Sequence, residues 1–196
     1  YARKKVVKEE KTAPKAVAGA FLDDAMREAL SPVLARFEKP LLLRVSSDGT
    51  LLADEAESLV RELASLSDAL SYEVVREGNP DVTISICSAE GKDLGLRFHG
   101  VPGGHEFNSF ILALYNAAGP GQDVGEILQQ RIEGISRDIH IDIAVSLSCT
   151  MCPDLVTAAE RIAADNDHVS VDVYDLAHYP DMQKKYNIMS VPCLIM

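Results

Sequence analysis

Two thiols three positions apart, Cys149 and Cys152, lie in the stretch "SLSCTMCPD" directly after the apolar run "IHIDIAV". Residues of this type at this spacing can form a redox couple, half of a metal site, or a pair of small core hydrophobes. A helix beginning at the pair favours the first. Free N–H groups and the positive end of the helix dipole would stabilise a thiolate on the first sulfur, and related motifs bring a thiol pKa from about 8.5 to about 7 or lower. Cys149 is then the attacking thiol, and Cys152, one turn further in, the resolving one. Pro153 falls in the first turn, where its missing N–H costs little and its fixed φ stiffens the turn. A zinc site requires four ligands; Cys87 and Cys193 are isolated, and His168 and His178 follow at no ligand spacing. The core reading suits poorly a loop that also contains Ser146, Ser148 and Thr150.

The elements that must hold the pair can be read from periodicity. Apolar residues at helical spacing from Phe21 to Phe37 predict a helix, with Pro32 inside it as a kink or division. "LLLRVSS" predicts a strand, Asp48-Gly49 a turn, "ADEAESLVRELASLSDAL" a helix, and "SYEVVRE", "DVTISICS" and "LGLRFHG" three strands. A helix follows from about His105 to Ala118. Gly119-Pro120-Gly121 is the sharpest break. Beyond it come a helix from Asp123 to about Ile135, the strand "IHIDIAVS", the thiol pair opening a helix to about Asp165, the strand "HVSVDVYDL", a short helix "YPDMQKKYNI" and the strand "VPCLIM".

The two halves read as a degenerate repeat of helix, strand, helix, strand and a further strand started by proline, around Pro102 in one and Pro192 in the other. The first half has Ser47-Asp48-Gly49 where the second has its thiols. Parallel strands joined by crossover helices give a right-handed α/β sheet, with reactive groups gathered beyond the carboxyl ends of the strands. The pair falls at that edge.

Composition bounds the function. The 196 residues are 47% hydrophobic and 25% charged, ordinary for a globular protein. The formal charge of −11 hides a basic start, since residues 1–15 hold six basic side chains against two acidic ones. That Lys/Ala/Pro/Glu mixture reads as a solvated linker. The acidic remainder argues against a nucleic-acid partner, and no apolar run approaches the roughly 20 residues that cross a bilayer, so no membrane partner is expected. Four cysteines without an export signal point to a reducing, cytoplasmic compartment, where a close thiol pair is catalytic or metal-binding rather than a structural staple.

Together, "SLSCTMCPD", "NIMSVPCLI", "RFHGVPGGHEF" and "KPLLLRVSSDG" resemble the N-terminal module of the F component of alkyl hydroperoxide reductase, over about residues 21–196. The resemblance implies an α/β protein of two fused thioredoxin-like folds: a linker-like segment over 1–20, a lobe without the dithiol over 21–120, and a lobe with it over 121–196. It implies a thiol–disulfide oxidoreductase that takes electrons from a flavoprotein dithiol and passes them to a peroxiredoxin disulfide. By the same resemblance Cys149 is the nucleophile, Cys152 its partner, Pro192 a cis-proline beside them, and Glu106 a glutamate near the dithiol that shuttles protons. As a helix-start acid, Glu106 would also suit the dipole, and His105 beside it is expected to be structural.

The sequence has no G-x-G-x-x-G fingerprint. FAD and NAD(P)H are therefore expected on a linked or partner reductase domain, with no cofactor in this module. Thr150 and Met151 stand where the family has His-Asn, and Cys193, expected to be a buried strand residue, is an additional thiol. Cys87 reads as core. The start at Tyr1 after no Met, with a linker-like segment first, predicts a reductase domain upstream; at Met196 the second lobe still expects a strand and a helix. Two alternatives stay open: a general protein disulfide oxidoreductase, and a non-catalytic docking module with a vestigial dithiol.

Overall fold

Burial alternates along Leu41–Ser46: the odd positions Leu41, Leu43 and Val45 are buried while Leu42, Arg44 and Ser46 are half-exposed. That is the signature of a strand with one face against a helix. The computed structural model describes residues 21–76 and 81–196; the linker-like stretch 1–20 lies outside the described residues. In chain order the elements are α1 (Asp24–Leu34), β1 (Leu41–Ser46), α2 (Leu51–Ser65), β2 (Leu70–Val75), β3 (Thr83–Ser88), β4 (Asp93–His99), α3 (Glu106–Ala118), α4 (Glu126–Glu133), β5 (Ile139–Val145), α5 (Cys152–Asp165), β6 (Val169–Asp175), α6 (Pro180–Lys185) and β7 (Cys193–Ile195).

The strands form one mixed sheet in the order β2-β1-β3-β4-β6-β5-β7. The repeat expected from the sequence is visible in it. β1-α2-β2 and β5-α5-β6 are both parallel crossover units, and β3 lies antiparallel on β1 as β7 lies antiparallel on β5. The two halves meet where β4 and β6 pair in parallel, from Leu96 opposite Val171 to His99 opposite Tyr174. Above the sheet, α3 is buried on nearly every side and packs chiefly on α5 of the other half. Its run "EFNSFILALYNAA" is accordingly apolar almost all round, as a helix enclosed by neighbours must be.

The β4–β6 seam carries a polar network. Arg97 donates to Asp172 Oδ2 at 2.9 Å, and His99 Nε2 bonds Asp172 Oδ1 at 2.6 Å while its Nδ1 meets Thr83 Oγ1 at 3.1 Å. The His99 ring stacks on Tyr174 with centroids 3.9 Å apart. Burial works against the Asp172 charge, but the His99 hydrogen bond and the Arg97 guanidinium outweigh it and hold the carboxyl below the usual carboxylate range.

Three local expectations are corrected. Pro32 does not divide α1, which runs through it to Leu34. It sits in the last turn on an exposed face, so the one lost bond leaves the Glu28 carbonyl open to solvent. The helix foreseen from Asp123 starts at Glu126, because the Asp123 side chain accepts from Gly125 N at 2.8 Å and forms a turn instead. The parallel between Pro102 and Pro192 fails too. Pro192 immediately precedes β7, whose counterpart in the first half is β3, whereas Pro102 follows β4 and belongs to the loop leading into α3.

Candidate active site

β5 ends at Val145, and its buried side chains fix the loop that follows. In that loop Cys149 N donates to Ser146 O at 2.9 Å, closing a turn that aims the first thiol back at the helix. Helix α5 begins at Cys152, so Cys149 stands just outside it. The two cysteines are joined in a disulfide with Cα atoms 5.6 Å apart, inside the ordinary range. Cys152 is fully buried and Cys149 half-buried, which orders their accessibility as the sequence reading expects. The Cys152 backbone N–H donates to Cys149 Sγ at 3.2 Å. A free helix N–H aimed at the first sulfur is the group that would stabilise negative charge there once the bond opens.

Pairing of β7 on β5 brings the 187–192 loop beside the thiols. The Val191–Pro192 peptide is cis, and the Val191 carbonyl oxygen lies 3.9 Å from Cys149 Sγ. Met151 and Met189, two strongly exposed apolar side chains, belong to these two loops. Cys193, foreseen as buried, is half-buried, because the three-residue β7 lies at the sheet's edge. Cys87, in central β3, is buried, and burial pushes its thiol up to about 11.

α3 starts against the dithiol loop. His105 N donates to Leu147 O at 3.0 Å, and Gly104, at φ +53°, passes so close that a Cβ there would overlap the Leu147 carbonyl oxygen. His105 itself is exposed, whereas the next side chain, Glu106, is completely buried. Glu106 Oε2 accepts from Ser109 Oγ, and Oε1 has no hydrogen-bond partner among the described residues. Burial raises the Glu106 carboxyl above its ordinary pKa, against the opposing pull of Ser109 and His105.

A second buried acid was missed from sequence. Glu160 on α5 is 2% exposed, and its Oε2 also lacks a hydrogen-bond partner among the described residues. Its phase gave the signal, since it falls at helical spacing with Cys152 and Val156 inside the buried stripe of α5. His140, Asp142 and Asp172 bring three potential metal-ligand atoms within 4.8 Å of one another. Both Asp172 oxygens are already engaged by Arg97 and His99, which makes the group a charge network rather than a vacant ligand set.

A dithiol at the start of a helix, beyond the carboxyl end of a parallel strand and beside a cis X-Pro peptide, defines the thioredoxin-like class, and the thioredoxin-domain family matches residues 139–196. A crystal structure of the NTD N/C domain of alkylhydroperoxide reductase AhpF from Enterococcus faecalis superposes with a TM-score of 0.83 at 32% identity, over 89% of this chain and 90% of that one. The chain belongs to the AhpF family of alkyl hydroperoxide reductase components, as a double thioredoxin-like module of it. The alkyl hydroperoxide reductase F component of Xanthomonas campestris is 33% identical over 87% of this chain and 32% of its own length. A Bacillus subtilis protein named NADH dehydrogenase is 32% identical over 87% of this chain and 33% of its own length. The chain thus spans about a third of the length of these relatives. A protein disulfide oxidoreductase from Aeropyrum pernix, at 18% identity and a TM-score of 0.75, shares the fold. Among the described residues no helix is long and apolar enough to cross a membrane.

Proposed function

We propose that this chain is an electron carrier that works by thiol–disulfide exchange, moving reducing equivalents from a flavoprotein dithiol to the disulfide of a peroxiredoxin. The observation that carries the reading is the Cys152 N–H held 3.2 Å from Cys149 Sγ at the start of α5. Cys149 attacks the target disulfide, a mixed disulfide forms, and Cys152 attacks Cys149 Sγ to release the reduced target. The closed pair is then reopened by the flavoprotein dithiol. FAD and NAD(P)H belong, in this reading, to a reductase domain linked to or partnered with the chain, and the relatives three times its length support that assignment. Glu106 exchanges protons with the resolving sulfur, Pro192 shapes the docking edge beside Cys149, and the lobe without the dithiol, residues 21–120, is the platform that carries Glu106.

Cys152→Ser removes the resolving thiol and leaves the target bound to Cys149. Mass spectrometry of the species so trapped from a lysate should find a peroxiredoxin. A trap filled with unrelated folding clients, or an empty one from protein whose Cys149 still reacts with alkylating reagents, refutes the assignment.

A further inference from the structure

Glu160 has no place in the exchange as described, yet it is a carboxyl buried at 2% exposure within α5. A carboxyl taken out of water with a bare oxygen is strongly penalised in its charged form. Among the described residues the like-charged Glu106 is the other side chain acting on its charge, and with burial it puts the Glu160 carboxyl well above the ordinary range. Its neighbour Arg161 is turned elsewhere, donating from Nε to Gln122 O at 2.9 Å and pairing through Nη1 with Asp165 at 2.5 Å. On the α3 side, Ser109 and His105 act on Glu106 and not on Glu160. Helices α3 and α5 therefore enclose two carboxyls from opposite halves of the fold, each with one oxygen free of hydrogen bonds among the described residues. Two such groups bind protons as a pair rather than singly.

We propose that Glu160 and Glu106 form a proton-sharing carboxyl pair across the α3–α5 contact, with Glu160 the inner store that keeps Glu106 supplied with a proton for the dithiol. Eight residues separate Glu160 from Cys152, about 12 Å along the helix axis, too far for direct transfer, so Glu160 acts through Glu106 as a positioning residue. The inference rests on the exchange reading above. When an incoming dithiol reduces the module, its thiolate attacks Cys149 Sγ, a new S–S bond forms, and the Cys149–Cys152 bond breaks. The electron pair stays on the buried Cys152 sulfur. That sulfur takes the proton of Glu106, whose carboxylate is reprotonated from Glu160. The reductant's second thiol loses its proton to solvent and attacks its own partner sulfur, breaking the mixed-disulfide bond and releasing Cys149 as a thiolate, and Glu160 regains a proton from solvent.

The test measures the rate at which dithiothreitol reduces the Cys149–Cys152 disulfide of the 196-residue chain across pH, expressed per reductant thiolate. Unsubstituted protein should lose rate as pH rises through the titration of the pair. Glu160→Gln, close in shape but unable to titrate, should move that fall by about one pH unit or more toward acid, and Glu106→Gln should abolish it. A Glu160→Gln profile that overlies the unsubstituted one, or that is lowered equally at every pH, overturns the proposal. Should the variant fold poorly, reduced-minus-oxidised infrared spectra of the unsubstituted protein decide: a protonated carboxyl band that changes on reduction is expected, and an unchanged one overturns the pair. The assay contains no peroxiredoxin, so a failed trap with a shifted limb removes only the partner assignment, and an unshifted limb with a successful trap removes only the pair.

Discussion

Gly104→Ala offers a sharp test of how the first half is fitted to the dithiol loop. At φ +53° an alanine enters the left-handed region, which costs about 1–2 kcal/mol. Its Cβ would also overlap the Leu147 carbonyl oxygen and come within 3.2 Å of the Leu147 carbonyl carbon. Both are backbone atoms, tied further by the His105 N to Leu147 O bond at 3.0 Å. Neither can yield as a side chain would, so relief requires moving the dithiol loop off α3, an overpacking cost of about 1–3 kcal/mol. The total is about 2–5 kcal/mol, a large share of the roughly 5–15 kcal/mol that holds a typical domain folded. Two neighbouring substitutions separate the contributions. Gly49 has φ +81° and nothing within 4 Å of a new Cβ, so Gly49→Ala should cost only the backbone strain of about 1–2 kcal/mol. Gly103→Ala meets Leu147 Cδ1 at an ordinary 3.7 Å and should change stability by no more than about 1 kcal/mol. Urea unfolding of the three variants supplies the comparison. If Gly104→Ala costs no more than Gly49→Ala, the close fit of the two loops is not what holds them together.

Two other outcomes follow from the geometry. Asp172→Asn should destabilise the fold by about 2 kcal/mol, since it leaves a half-buried Arg97 and a buried His99 without their shared anion. Because the Asp172 pKa is depressed in the folded state, its contribution is present above the unfolded value near 4 and is lost as pH falls through the lower folded value; acid unfolding curves should show the variant losing less than the parent below about pH 4. In the reduced native protein, iodoacetamide should label Cys149 well ahead of Cys87, whose buried thiol ionises only near 11; peptide mass spectrometry at neutral pH would contradict the site geometry if Cys87 were labelled first.

Much of the fold was legible in the sequence because strand and helix periods are local properties. Leu41, Leu43 and Val45 announce a one-sided strand, and "SCTMCPD" announces a helix with a proline in its first turn. The repeat was legible in outline, but the matching of Pro102 to Pro192 misled, because proline is as welcome in a loop as at the start of an edge strand. The seam between β4 and β6 was out of reach. Nothing in "LGLRFHG" or "HVSVDVYDL" says that Arg97 and His99 will meet Asp172 across some 75 residues of chain. Glu160 escaped for a different reason: a glutamate in a helix ordinarily faces water, and only its position in the apolar stripe betrayed it.

The pairing of β4 with β6 makes the half without the dithiol continuous in backbone hydrogen bonding with the half that has it. A protein gripping any part of that half therefore meets the reactive pair at a set bearing, as a handle fixes the direction of a blade. In such a molecule recognition and reaction can be selected on separate surfaces, with the aim between them preserved by a single unbroken sheet.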